Sequence, residues 1–334
     1  MEGDRATSAP GVTDPGGWGY SLANLTEIMF PCLDAVGAGS VVEIGAYRGE
    51  LTRELLRWAA GAGARVTAVD PEPPPELLKL ADDHPELELV RQTSHDALGH
   101  LPLPGALVID SDHNYYTLSE ELRLIDSRAP GAELPLLMFH DVAWPHARRD
   151  TYYVPERIPE EHRQPLGHKV KLAPWEPGVA EGGLPFEWAA KREGGPHNGV
   201  LTALEDFVDE RPGLRLAVIS AFFGFGVLWH QDAPWASAVA SIVEPWDRNP
   251  VLERLEANRV THLAARHVLA SELEEARARV SEQEKLLRPM LESRAFAVAE
   301  RLSRLHRRGS PVFSRQQVKR ALGDEDGRSS KRSP

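Results

Sequence analysis

The stretch Ser40-Val41-Val42-Glu43-Ile44-Gly45-Ala46-Tyr47-Arg48-Gly49-Glu50-Leu51-Thr52 decides the fold. Its first five residues form an apolar run of strand length, interrupted by Glu43. Gly45 and Gly49 permit a tight turn, after which Leu51, Leu55 and Leu56 begin an apolar stripe at helical spacing. A strand, a glycine turn and a helix N-terminus together make a cradle for a nucleotide-like ligand at the carboxyl edge of a parallel sheet. The spacing is E-x-G-x-x-x-G, not the G-x-G-x-x-G of dinucleotide binders. An acid two residues before the first glycine suits a cationic ligand better than a pyrophosphate.

Outward from this stretch the chain alternates short apolar runs with helical patterns. Residues 20–36 precede it with Leu22, Leu25, Ile28, Met29 and Leu33 at helical spacing. Strands are expected over 64–70, 87–90, 106–110 and 136–139, with helices over 76–81 and 118–125 between them. Strand–helix alternation with short connections is the pattern of a doubly wound, mostly parallel α/β sheet. Residues 214–220 and 223–228 read as two closing strands joined by a very short turn, after a helix over 198–210 for which Asn198 is the expected N-cap.

Three segments depart from that pattern. Residues 1–18 are rich in Gly and Pro and are expected to be flexible. Residues 142–197 show little periodicity and are too long for an ordinary connection, so they read as a lid or substrate-binding insertion. From residue 250 to about 306 a long helix is expected. Leu269, Leu273, Ala276, Val280, Gln283, Leu287 and Met290 follow heptad spacing, which opens the way to a short coiled coil and a homo-oligomer, or to a helix packed back on its own domain. Residues 307–334 read as a disordered basic tail.

Net charge is −12 over 334 residues, which argues against a general nucleic-acid binder. The single cysteine, Cys32, excludes an intramolecular disulfide and a cysteine-rich zinc site. With no apolar run of membrane-spanning length and no signal-peptide pattern, membrane association is not expected and a cytoplasmic location is.

Acidic and polar residues close each expected strand. Glu43 ends the first, Asp70 the second, Ser94-His95-Asp96 follows the third, Asp110-Ser111-Asp112-His113-Asn114-Tyr115 ends the fourth, and His140-Asp141 the fifth. In an open α/β sheet this edge binds ligands. An acid after the second strand can accept hydrogen bonds from ribose hydroxyls, and oxygen ligands from two adjacent strand ends can hold a divalent cation.

The Glu43–Gly49 string resembles the first motif of class I S-adenosylmethionine (SAM) methyltransferases, and E-I-G-A-Y-x-G is similar to the catechol O-methyltransferase branch. The string I-D-x-D-H-x-Y with a later H-D looks more like a bacterial branch that includes cephalosporin-biosynthesis and sugar O-methyltransferases. The resemblance covers roughly residues 20–230. It implies a Rossmann-like, seven-stranded sheet whose closing hairpin supplies an antiparallel strand, followed here by the C-terminal helical extension. It also implies SAM held around Glu43, Gly45, Ala46, Gly49, Asp70, Ser94 and Asp110, and a divalent metal, Mg²⁺ or Mn²⁺, held by Asp110, His140 and Asp141. His113 stands where that family has its catalytic lysine, and His-Asp stands where it has Asp-Asn; imidazole favours Mn²⁺, Fe²⁺ or Zn²⁺ over Mg²⁺.

The resemblance therefore implies a metal-assisted O-methyltransferase acting on a hydroxyl of a small molecule, a sugar or specialised metabolite, with His113 as base. Within the insertion, Arg148, Arg149, Tyr152 and Tyr153 are candidates to clamp the acceptor, with Trp144, Trp175 and Trp188 as walls. Two other readings share the strand–helix alternation. A nicotinamide-dependent oxidoreductase would be stabilised by nicotinamide rather than SAM. A non-catalytic scaffold assembling partners through its C-terminal helix would bind SAM without turnover.

Overall fold

The computed structural model describes residues 20–306 and Val318. The expected flexible N-terminus over 1–18 lies outside the described residues, as does the expected basic tail apart from Val318. The chain divides into two compact units at Arg266.

The first unit is built on a seven-stranded sheet. In chain order its strands are β1 (Ser40–Ile44), β2 (Arg65–Val69), β3 (Leu87–Val90), β4 (Ala106–Ile109), β5 (Leu136–His140), β9 (Leu214–Ile219) and β10 (Phe225–His230). Their spatial order is β3-β2-β1-β4-β5-β10-β9. All neighbouring pairs from β3 to β5 are parallel, whereas β10 lies antiparallel to both β5 and β9. The chain thus winds outward from β1 to β3, returns to β4 and winds the other way. This leaves a topological switch point between β1 and β4, where ligands bind in open α/β sheets.

Helices cover both faces: α1 (Thr26–Val36), α2 (Glu50–Ala62), α3 (Pro75–Asp83), α4 (Ser94–Leu98), α5 (Tyr115–Arg128), α6 (Val200–Asp209) and α7 (Ala236–Val243). Alternation along the strands sends neighbouring residues to opposite cores. From β4 and β5, Ala106, Val108, Leu136 and Met138 join one core with Met29, Leu55, Leu77 and Val239 from the helices. Leu107, Ile109, Leu137 and Phe139 join the other with Leu118, Leu122, Ala203 and Leu204. Both faces being covered explains why these strands read as continuous apolar runs rather than alternating ones.

The insertion is more regular than its sequence suggests. Residues 142–197 carry a three-stranded antiparallel sheet, β6 (Leu166–Ala173), β7 (Glu176–Ala180) and β8 (Leu184–Ala190), in the order β7-β6-β8. Much of β6 and β7 is exposed or only partly buried, so neither strand needs the apolar alternation by which strands are recognised. Asn198 likewise differs from expectation: Gly199 precedes α6 as its N-cap. The Asn198 side chain instead accepts from the Asp150 amide (2.7 Å) and donates to the carbonyls of Arg192 (3.0 Å) and Gly194 (2.9 Å), fastening the insertion.

The long helix is α8 (Pro250–Glu292), whose residues up to Arg266 belong to the first unit. In the second unit Leu269, Leu273, Val280, Leu287 and Met290 are exposed in the single chain, and α9 (Arg294–His306) follows. No described helix is long and apolar enough to cross a membrane.

Candidate active site

The glycine turn after β1 has little steric freedom. Gly45 sits at φ +85°, and a Cβ there would stand 1.9 Å from the Asp110 carbonyl oxygen, so β1 and β4 approach as closely as only glycine allows. Gly49, at φ +72°, precedes α2, and its missing side chain leaves room for Leu77 and Leu80. Gly45→Ala should therefore lower the melting temperature. The left-handed backbone alone costs about 1–2 kcal/mol, before the overlap with Asp110. Wild-type melting of that variant would show that the turn can shift.

Glu43 is buried and accepts a hydrogen bond from the Thr52 hydroxyl (2.6 Å), tying the end of β1 to α2. Burial pushes its carboxyl up to about 8 against that hydrogen bond, and the nearby acids Asp110, Asp70 and Glu50 add repulsion. A cationic group in the cradle would relieve this concentration of acid, and the donor set fits the sulfonium and ammonium of SAM for that reason. Ala46 is buried in the turn. Asp70 follows β2 and accepts the amides of Tyr47 (3.0 Å) and Glu72 (2.9 Å), so it braces the turn as well as lining it. Ser94 begins α4 behind its cap Thr93, and the buried Glu121 accepts from the Ser111 hydroxyl (3.0 Å).

One strand further on, four of the expected residues converge. His113 Nε2 lies 2.8 Å from Asp141 Oδ2 and 3.2 Å from Asp110 Oδ1. His140 Nδ1 lies 3.2 Å from Asp110 Oδ2 and 3.6 Å from Asp141 Oδ2. The other His140 nitrogen, Nε2, stands 2.9 Å from the Phe222 carbonyl oxygen. A carbonyl can only accept, so Nε2 carries a proton and donates it, which leaves Nδ1 to face two carboxylates. A ring held through its second nitrogen in this way is the usual setting of a metal-binding histidine.

The electrostatics call for positive charge at this point. Burial works against protonation of His140, but Asp141 and Asp110 outweigh it and raise the imidazole to about 9. For His113 burial again opposes, and Asp141, Tyr153 and Asp110 lift it well above the ordinary histidine range. Both carboxyls are held below the usual range: burial would raise them, but the imidazoles prevail, His140 first in each case. The ligand atoms of Asp110, His140 and Asp141 lie within 4.8 Å of one another, a spread that one divalent ion can span. The donor set fits a divalent cation. Asp141 sits at φ +59°, a conformation of the kind that persists where surrounding structure enforces it.

His146, from the insertion, completes the cluster and was not singled out from sequence. It is buried, with Nδ1 2.9 Å from the Thr151 hydroxyl and Nε2 3.9 Å from Asp141 Oδ1, and its ring lies 4.4 Å from that of His113. Burial lowers it to about 3 despite Asp141. With His113 and Asp141 it forms a second group of close donors. The available signal was its position five residues after the His-Asp pair.

The expected acceptor clamp largely has other duties. Arg149 is 1% exposed and donates to the carbonyls of Ala190 (2.7 Å), Pro177 (2.8 Å) and Gly178 (3.2 Å), locking the small sheet in place. The Tyr152 hydroxyl donates to Asp150 (2.9 Å), whose other oxygen receives the amides of Tyr115 and Gly199. Arg148 pairs with Glu205 (2.6 Å). Tyr153 alone of the four borders the cluster, 71% exposed with its ring 5.7 Å from His113. Of the three tryptophans, Trp144 packs against Leu184, Phe223 and Val260, Trp188 stacks on His168 (4.2 Å), and Trp175 is exposed. A groove of about 520 Å³ between α2 and α3, lined by Arg53, Arg57, Glu76 and Lys79 among others, includes none of the site residues.

No family model and no curated protein matches this chain. Among solved structures, the SAH-bound methyltransferase PaMTH1 of Podospora anserina aligns over 64% of this chain and 80% of its own, at 15% identity and a TM-score of 0.40. The O-methyltransferase NcsB1 from neocarzinostatin biosynthesis, bound to SAM and 2-hydroxy-5-methyl naphthoic acid, aligns over 60% and 52%, at 14% identity and 0.36. Human N-acetylserotonin methyltransferase in complex with SAM aligns over 62% and 52%, at 12% identity and 0.35.

Proposed function

We propose that this protein is a SAM-dependent O-methyltransferase that uses a divalent cation to methylate a hydroxyl of a small molecule, a sugar or specialised metabolite. The observation that carries the reading is the meeting of two acidic sites at one switch point. The Glu43–Gly45–Asp70 cradle closes β1 and β2, and the Asp110–His140–Asp141 cluster closes β4 and β5.

In this reading SAM supplies an already activated methyl group, and the cation lowers the pKa of the acceptor hydroxyl and orients it. Glu43, whose carboxyl burial raises to about 8, would ionise as the cationic end of SAM binds beside it, and the turn through Gly45, Ala46 and Gly49 would carry the backbone past the ligand. Asp70 keeps acceptor lone pairs for ribose hydroxyls beside its two amide partners. Ser94 stands at the adenine side. Asp110, His140 and Asp141 hold the cation. His113 is the group placed to take the hydroxyl proton: a cation on Asp110 and Asp141 would draw on the carboxylates that keep its Nε2 protonated, and would leave the imidazole able to act as base. Tyr153, exposed beside His113, offers an aromatic wall to the acceptor.

Transfer of labelled methyl from SAM to panels of sugars, glycosides and catechols, run with and without chelator, tests the reaction as a whole. Asp70→Ala tests the cofactor half separately. Calorimetry on the folded variant should show weakened SAM binding, and unchanged affinity would remove Asp70 from the cradle.

A further inference from the structure

The metal-site histidine is braced from outside the sheet. Between β9 and β10 the chain turns through Phe222, Phe223 and Gly224, at φ +53°, +69° and +97°. Two successive phenylalanines in the left-handed region are exceptional, since a Cβ is disfavoured there. Their carbonyls point at the two sides of Asp141. That of Phe222 accepts the His140 ring (2.9 Å), and that of Phe223 accepts the Ala143 amide (2.7 Å).

The amides of the same two residues meet a single carboxylate. Glu256, on the part of α8 belonging to the first unit, accepts Phe222 N at Oε2 (3.2 Å) and Phe223 N at Oε1 (2.8 Å). Arg259, one helical turn on, closes on that carboxylate with two hydrogen bonds of 2.7 and 2.6 Å, and its guanidinium lies 4.4 Å from the centre of the Phe223 ring. Glu256 is 7% exposed, so this is a paired, desolvated carboxylate rather than a surface acid. Its helix lies beyond the last strand of the sheet, and nothing in the glycine turn or the strand ends requires it.

We infer that Glu256 is a positioning residue for the cation site: it holds the strained Phe222–Phe223 turn, whose carbonyls fix the His140 ring and the backbone beside Asp141. This rests on reading Asp110, His140 and Asp141 as a cation site. Without the Glu256 carboxylate the two amides lose a shared acceptor, the turn relaxes, and His140 Nε2 loses its fixed partner, so Nδ1 no longer faces Asp110.

The test uses the full chain, free of metal, with ¹⁵N-labelled histidine. Exchange of the His140 Nε2 proton with solvent is followed by NMR, assigned by its absence in His140→Ala. Mn²⁺ and SAM titrations are run alongside. Glu256→Gln should speed that exchange at least ~10-fold and weaken Mn²⁺ by about 10-fold, the lower end of what the loss of an outer support costs a metal. SAM affinity should remain at the wild-type value. Should Glu256→Gln not fold, Glu256→Asp keeps the charge opposite Arg259, is one carbon too short to span both amides, and should shift both readouts the same way. A wild-type exchange rate in the folded variant overturns the proposal, whatever Mn²⁺ does. If the unmutated protein binds no Mn²⁺, it is the cation reading that fails, and the exchange rate still decides the role of Glu256.

Discussion

Asp141→Ala should abolish chelator-sensitive methyl transfer while leaving SAM bound. Asp141 is the carboxylate common to both groups of donors, with His113 at 2.8 Å, His140 at 3.6 Å and His146 at 3.9 Å. Supports one shell further out are worth roughly 10–100-fold in metal affinity, so loss of this ligand should exceed that range. In the proposed reading SAM rests on the ends of β1 and β2, not on the end of β5, so SAM affinity should hold. Metal content and SAM affinity measured on one purified sample separate the two halves of the site. Retained metal at wild-type affinity would show that Asp141 is a structural partner of the histidines. Full turnover of the unmutated protein in excess chelator would dispose of cation assistance altogether.

His113→Ala should keep both SAM and metal yet slow single-turnover methyl transfer by roughly 10²–10⁴-fold, the usual range for a lost general base. By rate theory that is roughly 2.7–5.5 kcal/mol of transition-state stabilisation. The competing account makes His113 a strut. Its ring is pinned by Asp141 and Asp110, and its carbonyl accepts the Thr151 amide (2.9 Å), so a purely structural role would appear as a lower melting temperature with normal turnover per folded molecule. His113→Gln, which can keep a hydrogen bond to Asp141 but cannot serve as a comparable base, discriminates further. A strut should be largely restored by glutamine, and a base should not.

Much of the frame was legible because parallel strands buried on both faces are written as short apolar runs. The strand ends were legible because a charged or polar residue, or a glycine, closes each run. Glu43, Asp70, Asp110 and His140 thereby read as strand ends, and each lies at or beside the carboxyl end of its strand. The insertion was less legible. Its strands β6 and β7 are half exposed and carry no alternation, and Arg149 and Tyr152 belong to residue types that serve equally as ligand clamps and as buried struts. Only their surroundings distinguish the two uses: three backbone carbonyls around Arg149, and the Asp150 carboxylate beside Tyr152.

Taken alone, the sequence determined the doubly wound α/β frame, the glycine turn and the set of groups gathered at its carboxyl edge, because period and spacing are local properties of the chain. Tertiary structure decided which of those groups meet. His113 reaches Asp141 across two strand ends, and His146 joins them from the insertion. Phe222 reaches His140 over 82 residues, and Glu256 reaches Phe223 over 33. Such contacts leave no periodic trace, since a hydrogen bond or ion pair needs one donor and one acceptor within about 3 Å, and only the folded sheet sets that distance.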